Sequence, residues 1–219
     1  MQLTKVMSNH NEDVQSHSEI YIKCKRLLDI TVSTLAIILM SPLLILTALS
    51  IKLCSKGPVL FWQKRAGLNG KTIMFPKFRS MYIDAEERKA DLMAQNMHQN
   101  SITFKMKNDP RITPIGRIIR KYSIDELPQL ILVLNGELSL VGPRPATLDE
   151  VAQYSHFEQK RLSVQPGLTC IWQVNGRGDI PFNEQVIMDY TYICERNLYT
   201  DVKLLFQTIP AVLNGRGAY

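Results

Sequence analysis

Between Ile30 and Ile51 the chain runs for 22 residues without a charged side chain, which as an α-helix is enough to cross a hydrocarbon core about 30 Å thick. The competing reading, a central helix buried in a globular domain, fits poorly, because such helices are usually shorter and less uniformly apolar. Charge and proline bear on how the segment meets lipid. Lys23, Lys25 and Arg26 precede the run, and Lys52, Lys56, Lys64 and Arg65 follow it. A simple spanning helix normally keeps its basic excess on the cytoplasmic side alone. Ser41-Pro42 stands near the middle. Proline removes a backbone donor and crowds the preceding turn, and a serine hydroxyl can satisfy the carbonyl so released where water is absent. Together these features predict a bent, re-entrant helix that dips into one leaflet with both ends in the cytoplasm. A straight spanning anchor is the alternative.

The whole chain has 219 residues, which suits one main domain with small appendages. Its formal charge of +6 implies attraction to polyanions, whether nucleic acid, anionic lipid or phosphorylated substrates. Cys24, Cys54, Cys170 and Cys194 form no C-x-x-C pair and match no histidine spacing, so they indicate neither a zinc site nor a disulfide framework. The first residues are polar, with Glu12, Asp13 and Glu19 where a signal peptide would carry its basic start. The division that follows is a loose tail over 1–19, a membrane-associated helix over 20–56, and a domain over 57–219.

Past the helix, Pro58 to Arg65 reads as a strand that ends in positive charge, Gly67 to Gly70 as a turn, and Thr72 to Phe75 as a second strand. That second strand delivers Lys77-Phe78-Arg79-Ser80-Met81, and Lys77 and Arg79 join the candidate substrate contacts. Asp84 to about Gln99 is charged and helix-prone without a catalytic pattern. The chain turns at Asp109-Pro110-Arg111, and Thr113-Pro114 is an N-cap followed by proline at the first helical position. The helix so opened would carry Arg117, Arg120 and Lys121 on one face, either a solvated basic surface or a seat for an anion.

Ser123-Ile124-Asp125-Glu126-Leu127-Pro128 has the pattern of a capping box, but Pro128 would then delete an intrahelical bond. A start near Asp125 to Leu127 puts the proline in the first turn, where donors are unpaired anyway. Asp125 is then an ionised carboxylate beside arginines, a plausible nucleophile on phosphorus. Glu126 could hold a divalent metal, because Mg2+ takes few protein carboxylates and fills its shell with phosphate oxygens and water. Asn135-Gly136 turns the chain into a short strand that ends in Gly142-Pro143-Arg144-Pro145. Pro143 and Pro145 fix the backbone around Arg144, whose forked donors suit phosphate; a rigid surface turn is the plainer alternative. Arg177, in an Arg-Gly-Asp tripeptide, is a further candidate substrate contact.

In this order the motifs resemble the bacterial sugar transferases, the monotopic phosphoglycosyl transferases that prime exopolysaccharide, O-antigen and glycoprotein glycan assembly. The resemblance runs from about Lys25 to the C-terminus. It is carried by the basic-flanked apolar helix with Ser41-Pro42, Lys77 to Met81, Asp125-Glu126-Leu127-Pro128-Gln129, Gly142 to Pro145, and Pro166-Gly167-Leu168-Thr169 leading to Trp172-Gln173-Val174. It implies an α/β fold: a re-entrant membrane helix, interfacial amphipathic helices and a small cytoplasmic catalytic domain. It implies a UDP-sugar donor and a polyprenyl phosphate acceptor in the bacterial inner membrane, with Asp125 attacking the β-phosphate and UMP leaving. It also implies Mg2+ at Glu126, Asp189 as a second acidic residue near the metal or the lipid phosphate, substrate phosphates near Arg120 and Arg144, and downstream glycosyltransferases as partners. The cations themselves suit phosphoryl transfer between two polyanions.

The C-terminal stretch from Asp201 to Leu213 fits an interfacial helix or one packed on the core. Two rivals belong to other classes. A noncatalytic membrane-anchored scaffold would gain nothing from adjacent carboxylates inside a cationic patch. A nucleic-acid binder would need exposed aromatics among its cations and would not carry the apolar run.

Overall fold

The computed structural model describes residues 18–88, 109–215 and 217. The expected tail therefore lies almost wholly outside the described residues, as does the charged stretch beyond residue 88.

Helix α1 runs unbroken over Glu19–Cys54. Ser18 opens it by accepting the amide of Ile20 at 3.2 Å. Pro42 cannot donate to the carbonyl of Ile38, and the Ser41 hydroxyl does so instead at 2.8 Å. The Ser-Pro pair thus carries its own repair, as its sequence suggests. Among the described residues, this is the one helix long and apolar enough to cross a membrane. Its two arms rest on different parts of the same domain. Val32, Ala36 and Ile37 pack against a core built on Ile73, Phe75, Leu130, Val133 and Leu140. Leu44, Ala48 and Ile51 pack with Phe78 and Ile119. Between the arms, Ile38, Leu39 and Met40 are exposed, as is Pro42.

The domain is mixed helix and strand. Strand β1, Leu60–Ala66, pairs antiparallel with β2, Thr72–Phe78, from Leu60 opposite Phe78 to Ala66 opposite Thr72. Strand β2 continues past the expected Phe75, so Lys77 is a strand residue. Because strand side chains alternate, Arg65 shares with Ile73, Phe75 and Lys77 the face of the hairpin turned toward the core. Helix α2, Pro114–Lys121, is capped by Thr113, which accepts the Gly116 amide at 2.9 Å. A 3-10 helix over Ile124–Gln129 leads directly into α3, Leu130–Asn135.

Strand β3, Ser139–Val141, lies parallel to β4, Gly167–Thr169. Their continuations cross almost in backbone contact, with the Gly142 amide donating to Thr169 at 3.0 Å and the Gly167 amide to Pro143 at 2.9 Å. A Cβ on Gly167 would stand 2.0 Å from the Gly142 nitrogen. Gly167→Ala must therefore push the strands apart, and we expect it to destabilise the protein by roughly 1–3 kcal/mol, read as a lowered midpoint of thermal unfolding.

Short helices α4 (Leu148–Val151), α5 (His156–Gln159) and α6 (Ile171–Asn175) connect to α7 (Phe182–Glu195) and α8 (Leu198–Asn214). Helix α8 packs on the core along one face and leaves apolar side chains uncovered on the other. Asp201 and Leu204 are buried on the domain, while Tyr199, Phe206, Ile209 and Leu213 are exposed. With the outer face of α1, these side chains leave much more large apolar surface uncovered than isolated surface residues would.

Candidate active site

The centre of the site is the 3-10 helix over Ile124–Gln129. Ser123 stands at the N-cap position in a left-handed conformation at φ 53° but its side chain makes no capping hydrogen bond, so the capping box is absent; the helix begins at Ile124, one residue before the expected start. Pro128 sits in this short helix, where its missing amide breaks no α-helical ladder.

Glu126 is the fixed member of the pair. Lys77 donates to its Oε1 at 2.8 Å, and Arg144 donates to Oε2 at 3.1 Å and also to Oε1, a two-pronged contact. Burial acts most strongly on this carboxyl and would push it up. Arg144 and Lys77 overcome that and hold it well below the usual carboxylate range. Lys77 itself is pushed down by burial, against the pull of Glu126. Asp125 is 7 % exposed. Burial raises its carboxyl to about 6, opposed by Lys77, assisted by the neighbouring Glu126 charge, and opposed further by Arg120 and Arg144. Two adjacent carboxylates thus divide into one whose charge is favoured by two cations and one whose charge is costly until something offsets it.

Pro143 and Pro145 are buried on either side of the half-buried Arg144, whose fork, instead of standing free, turns onto Glu126. Arg177 is near enough to Asp125, Glu126 and Arg144 for all three to act on its charge, with burial the main influence, which lowers its affinity for a proton. It adopts φ 53°, rare for a side-chain-bearing residue, and its Nη1 is buried without a hydrogen-bond partner among the described residues. A strained arginine with an unused donor beside two carboxylates and a second arginine suits an incoming anion.

Not every candidate joins this cluster. Arg117 is exposed, and of the basic face of α2 it is Arg120 that acts on Asp125. Arg79 is turned away: it donates to the carbonyls of Lys56 at 2.5 Å and Ser55 at 2.8 Å and to the Ser55 hydroxyl at 3.0 Å. Its charge closes the C-terminus of α1, where carbonyls lack helical partners. Asp189 is fully buried in a second cluster. Its Oδ2 accepts from Arg161 Nε at 2.9 Å and from the Trp172 indole at 3.4 Å, while Oδ1 has no hydrogen-bond partner. Arg161 also donates to the Tyr154 hydroxyl at 2.8 Å. Glu126 and Asp189 are thus held by different arginines, and among the described residues no group of three or more His, Cys, Asp or Glu side chains is placed to hold a metal.

Arg65, beside the site, and Arg161, in the second cluster, are residues that the reading of the sequence did not single out. Arg65 donates to the Pro145 carbonyl at 2.6 Å, and burial, then repulsion from Arg144, lowers its pKa to about 10. The two-residue period of the hairpin, which puts Arg65 on the face of Lys77, is the signal that could have found it. Arg161 has no local signal of that kind.

The family model for bacterial sugar transferases matches residues 20–215, and the chain belongs to that family. It is 44% identical to the galactosyl transferase CpsE of Streptococcus agalactiae over 90% of this chain and 44% of that protein. It is 41% identical to the undecaprenyl-phosphate galactose phosphotransferase of Salmonella typhimurium, over 89% of this chain and 41% of that one. The chain thus spans less than half the length of either relative. The exopolysaccharide production protein ExoY of Rhizobium meliloti is 37% identical and is covered over 88% of its length.

Proposed function

We propose that this protein transfers a sugar 1-phosphate from a UDP-sugar to a polyprenyl phosphate, releasing UMP, as the first membrane step in assembling a bacterial polysaccharide or glycoconjugate. The observation that carries the reading is the Asp125–Glu126 pair: one carboxylate held by Lys77 and Arg144, the other buried beside it. A scaffold or a lipid-binding surface has no use for that division.

In the proposed reaction an Asp125 carboxylate oxygen attacks the β-phosphorus of the donor. The bond from that phosphorus to the bridging oxygen breaks, UMP leaves with the electron pair, and an aspartyl phosphosugar remains. An oxygen of the polyprenyl phosphate then attacks the same phosphorus and expels the Asp125 carboxylate. Arg144, Arg120 and Arg177 offset the charge of donor and acceptor phosphates, the main work in phosphoryl transfer.

Both carboxylates are oxygen donors next to the expected diphosphate, which fits Mg2+ with its preference for few protein ligands. Glu126 is the residue that would hold it, after exchange of a Lys77 or Arg144 contact for phosphate. Bound there, the ion would add Lewis-acid polarisation of the phosphoryl group.

The placement of α1 supports a re-entrant insertion. Both arms return to one domain, the Ser41-Pro42 repair lies between them, and the residues around it are exposed and apolar. We place the domain on the cytoplasmic face of the inner membrane, where UDP-sugars are available, and the exposed face of α8 against the lipid surface.

The deciding experiment is UMP release by detergent-solubilised protein with Mg2+, polyprenyl phosphate and a panel of UDP-sugars. Acceptor-dependent UMP from a UDP-hexose, with UDP-galactose the first candidate from the names of the relatives, is the expected result. No UMP from any donor, with lipid binding intact, would establish the scaffold reading instead.

A further inference from the structure

The mechanism leaves unused a row of polar side chains on the first arm of α1. Tyr21, Lys25, Arg26 and Asp29 recur at helical spacing, so they share the face turned to the domain. Tyr21 and Lys25 donate to Oδ2 of the fully buried Asp201 at 2.9 and 3.0 Å, and the Tyr192 hydroxyl donates to its Oδ1 at 2.7 Å. That anchors the arm to α7 and α8. The next two residues reach elsewhere. Arg26 donates to the carbonyls of Val133 and Leu134 at 2.5 Å each, at the C-terminal end of α3. Asp29, 4 % exposed, accepts the Leu140 amide of β3 at 2.9 Å.

These two attachments fall on the segments that deliver the transfer site. Helix α3 continues directly from the 3-10 helix that carries Asp125 and Glu126. Strand β3 ends three residues before Arg144. We propose that Arg26 and Asp29 are positioning residues of the transfer site. From a helix seated in lipid they lock together the segment carrying the Asp125–Glu126 pair and the strand carrying Arg144. The physical reasons are specific. Helix-end carbonyls have no helical partners, so the Arg26 fork adds two charge-assisted bonds where the backbone offers acceptors and the local dipole favours a cation. A carboxylate is buried at high cost unless it is hydrogen-bonded, so Asp29 tolerates little displacement from Leu140. The inference rests on reading Asp125 and Glu126 as the transfer site.

The test compares kcat, KM for the UDP-sugar, thermal midpoint and membrane orientation in purified full chains of wild type, Asp29→Ala, Asp29→Asn and Arg26→Lys. Asn keeps an oxygen that accepts from Leu140. Lys keeps the positive flank, and with it the topology signal, but offers a single nitrogen in place of the planar fork whose Nη1 and Nη2 each reach one carbonyl. We expect kcat per folded enzyme to fall on the order of tenfold to a hundredfold in Asp29→Ala, the scale of a small misplacement at a distant catalytic group. Asp29→Asn should recover most of that loss, and Arg26→Lys should lose several-fold in kcat with orientation unchanged. KM for the donor should hold within about twofold throughout, because the donor-binding groups remain. Wild-type kcat in Arg26→Lys, or an Asp29→Asn as slow as Asp29→Ala, overturns the proposal, and the Arg26→Lys arm decides even where Asp29→Ala does not fold. A wild type that releases no UMP from any UDP-sugar overturns the underlying reading instead.

Discussion

Asp125→Asn is expected to abolish transfer while making the protein more stable. The asparagine keeps the shape of the side chain but is too poor a nucleophile to displace UMP from the β-phosphorus. The loss should reach the order of a thousandfold or more, in line with removal of a covalent nucleophile. Mass spectrometry after incubation with donor alone should find the phosphosugar adduct on the wild type and none on the variant. Retained turnover in Asp125→Asn would remove the covalent mechanism. The stability change follows from the raised carboxyl of Asp125. A folded state that holds a proton more tightly than the unfolded chain gains stability from that group below its unfolded pKa and loses it as pH rises through about 6. At pH 7 without added metal, the wild type therefore carries a buried, ionised Asp125, and asparagine relieves the burden. A higher thermal midpoint for the variant at pH 7, shrinking toward pH 4, is the expected pattern. The opposite trend would mean that nearby cations more than offset burial. A carboxylate kept at a stability cost is what a functional site commonly shows.

Arg144→Lys is expected to lose nearly as much activity as Arg144→Met. Lysine retains the charge but not the fork that engages both oxygens of Glu126. In Arg144→Met the carboxylate would be left, among the described residues, with Lys77 as its one hydrogen-bonded cation. Truncating one side of a fully buried pair costs about 3–5 kcal/mol, and the partial exposure here reduces that figure. Rate losses on the order of a hundredfold in kcat/KM are expected for both variants, together with a lower thermal midpoint for Arg144→Met. Activity near wild type in Arg144→Lys would show that Arg144 supplies charge alone, without fixed geometry.

How much of this was legible in the chain differs residue by residue. The apolar run, the Ser41-Pro42 repair, the hairpin and the Thr113-Pro114 start of α2 all follow from local chemistry: a missing donor, a helical cap, a two-residue period. Asp125 and Glu126 are neighbours in sequence, so their joint placement needed no fold. The failure of Ser123 as a cap could be argued from Pro128 alone.

What only the tertiary structure decided is which charge meets which. Lys77 reaches Glu126 from 49 residues away, and nothing in its own segment separates it from Arg79, two residues on, which instead closes the end of α1. Asp189 reads as a second acidic group for the site, yet it is held by Arg161 in another cluster. The basic flank of the membrane helix reads as a topology signal, whereas Arg26 is spent on the carbonyls of α3 and Lys25 on Asp201. Local sequence determines backbone shape because covalent geometry and near-neighbour hydrogen bonds act over a few residues. A long charged side chain can satisfy itself with any carboxylate or helix end within its reach, and the packing of distant segments alone determines which lies there.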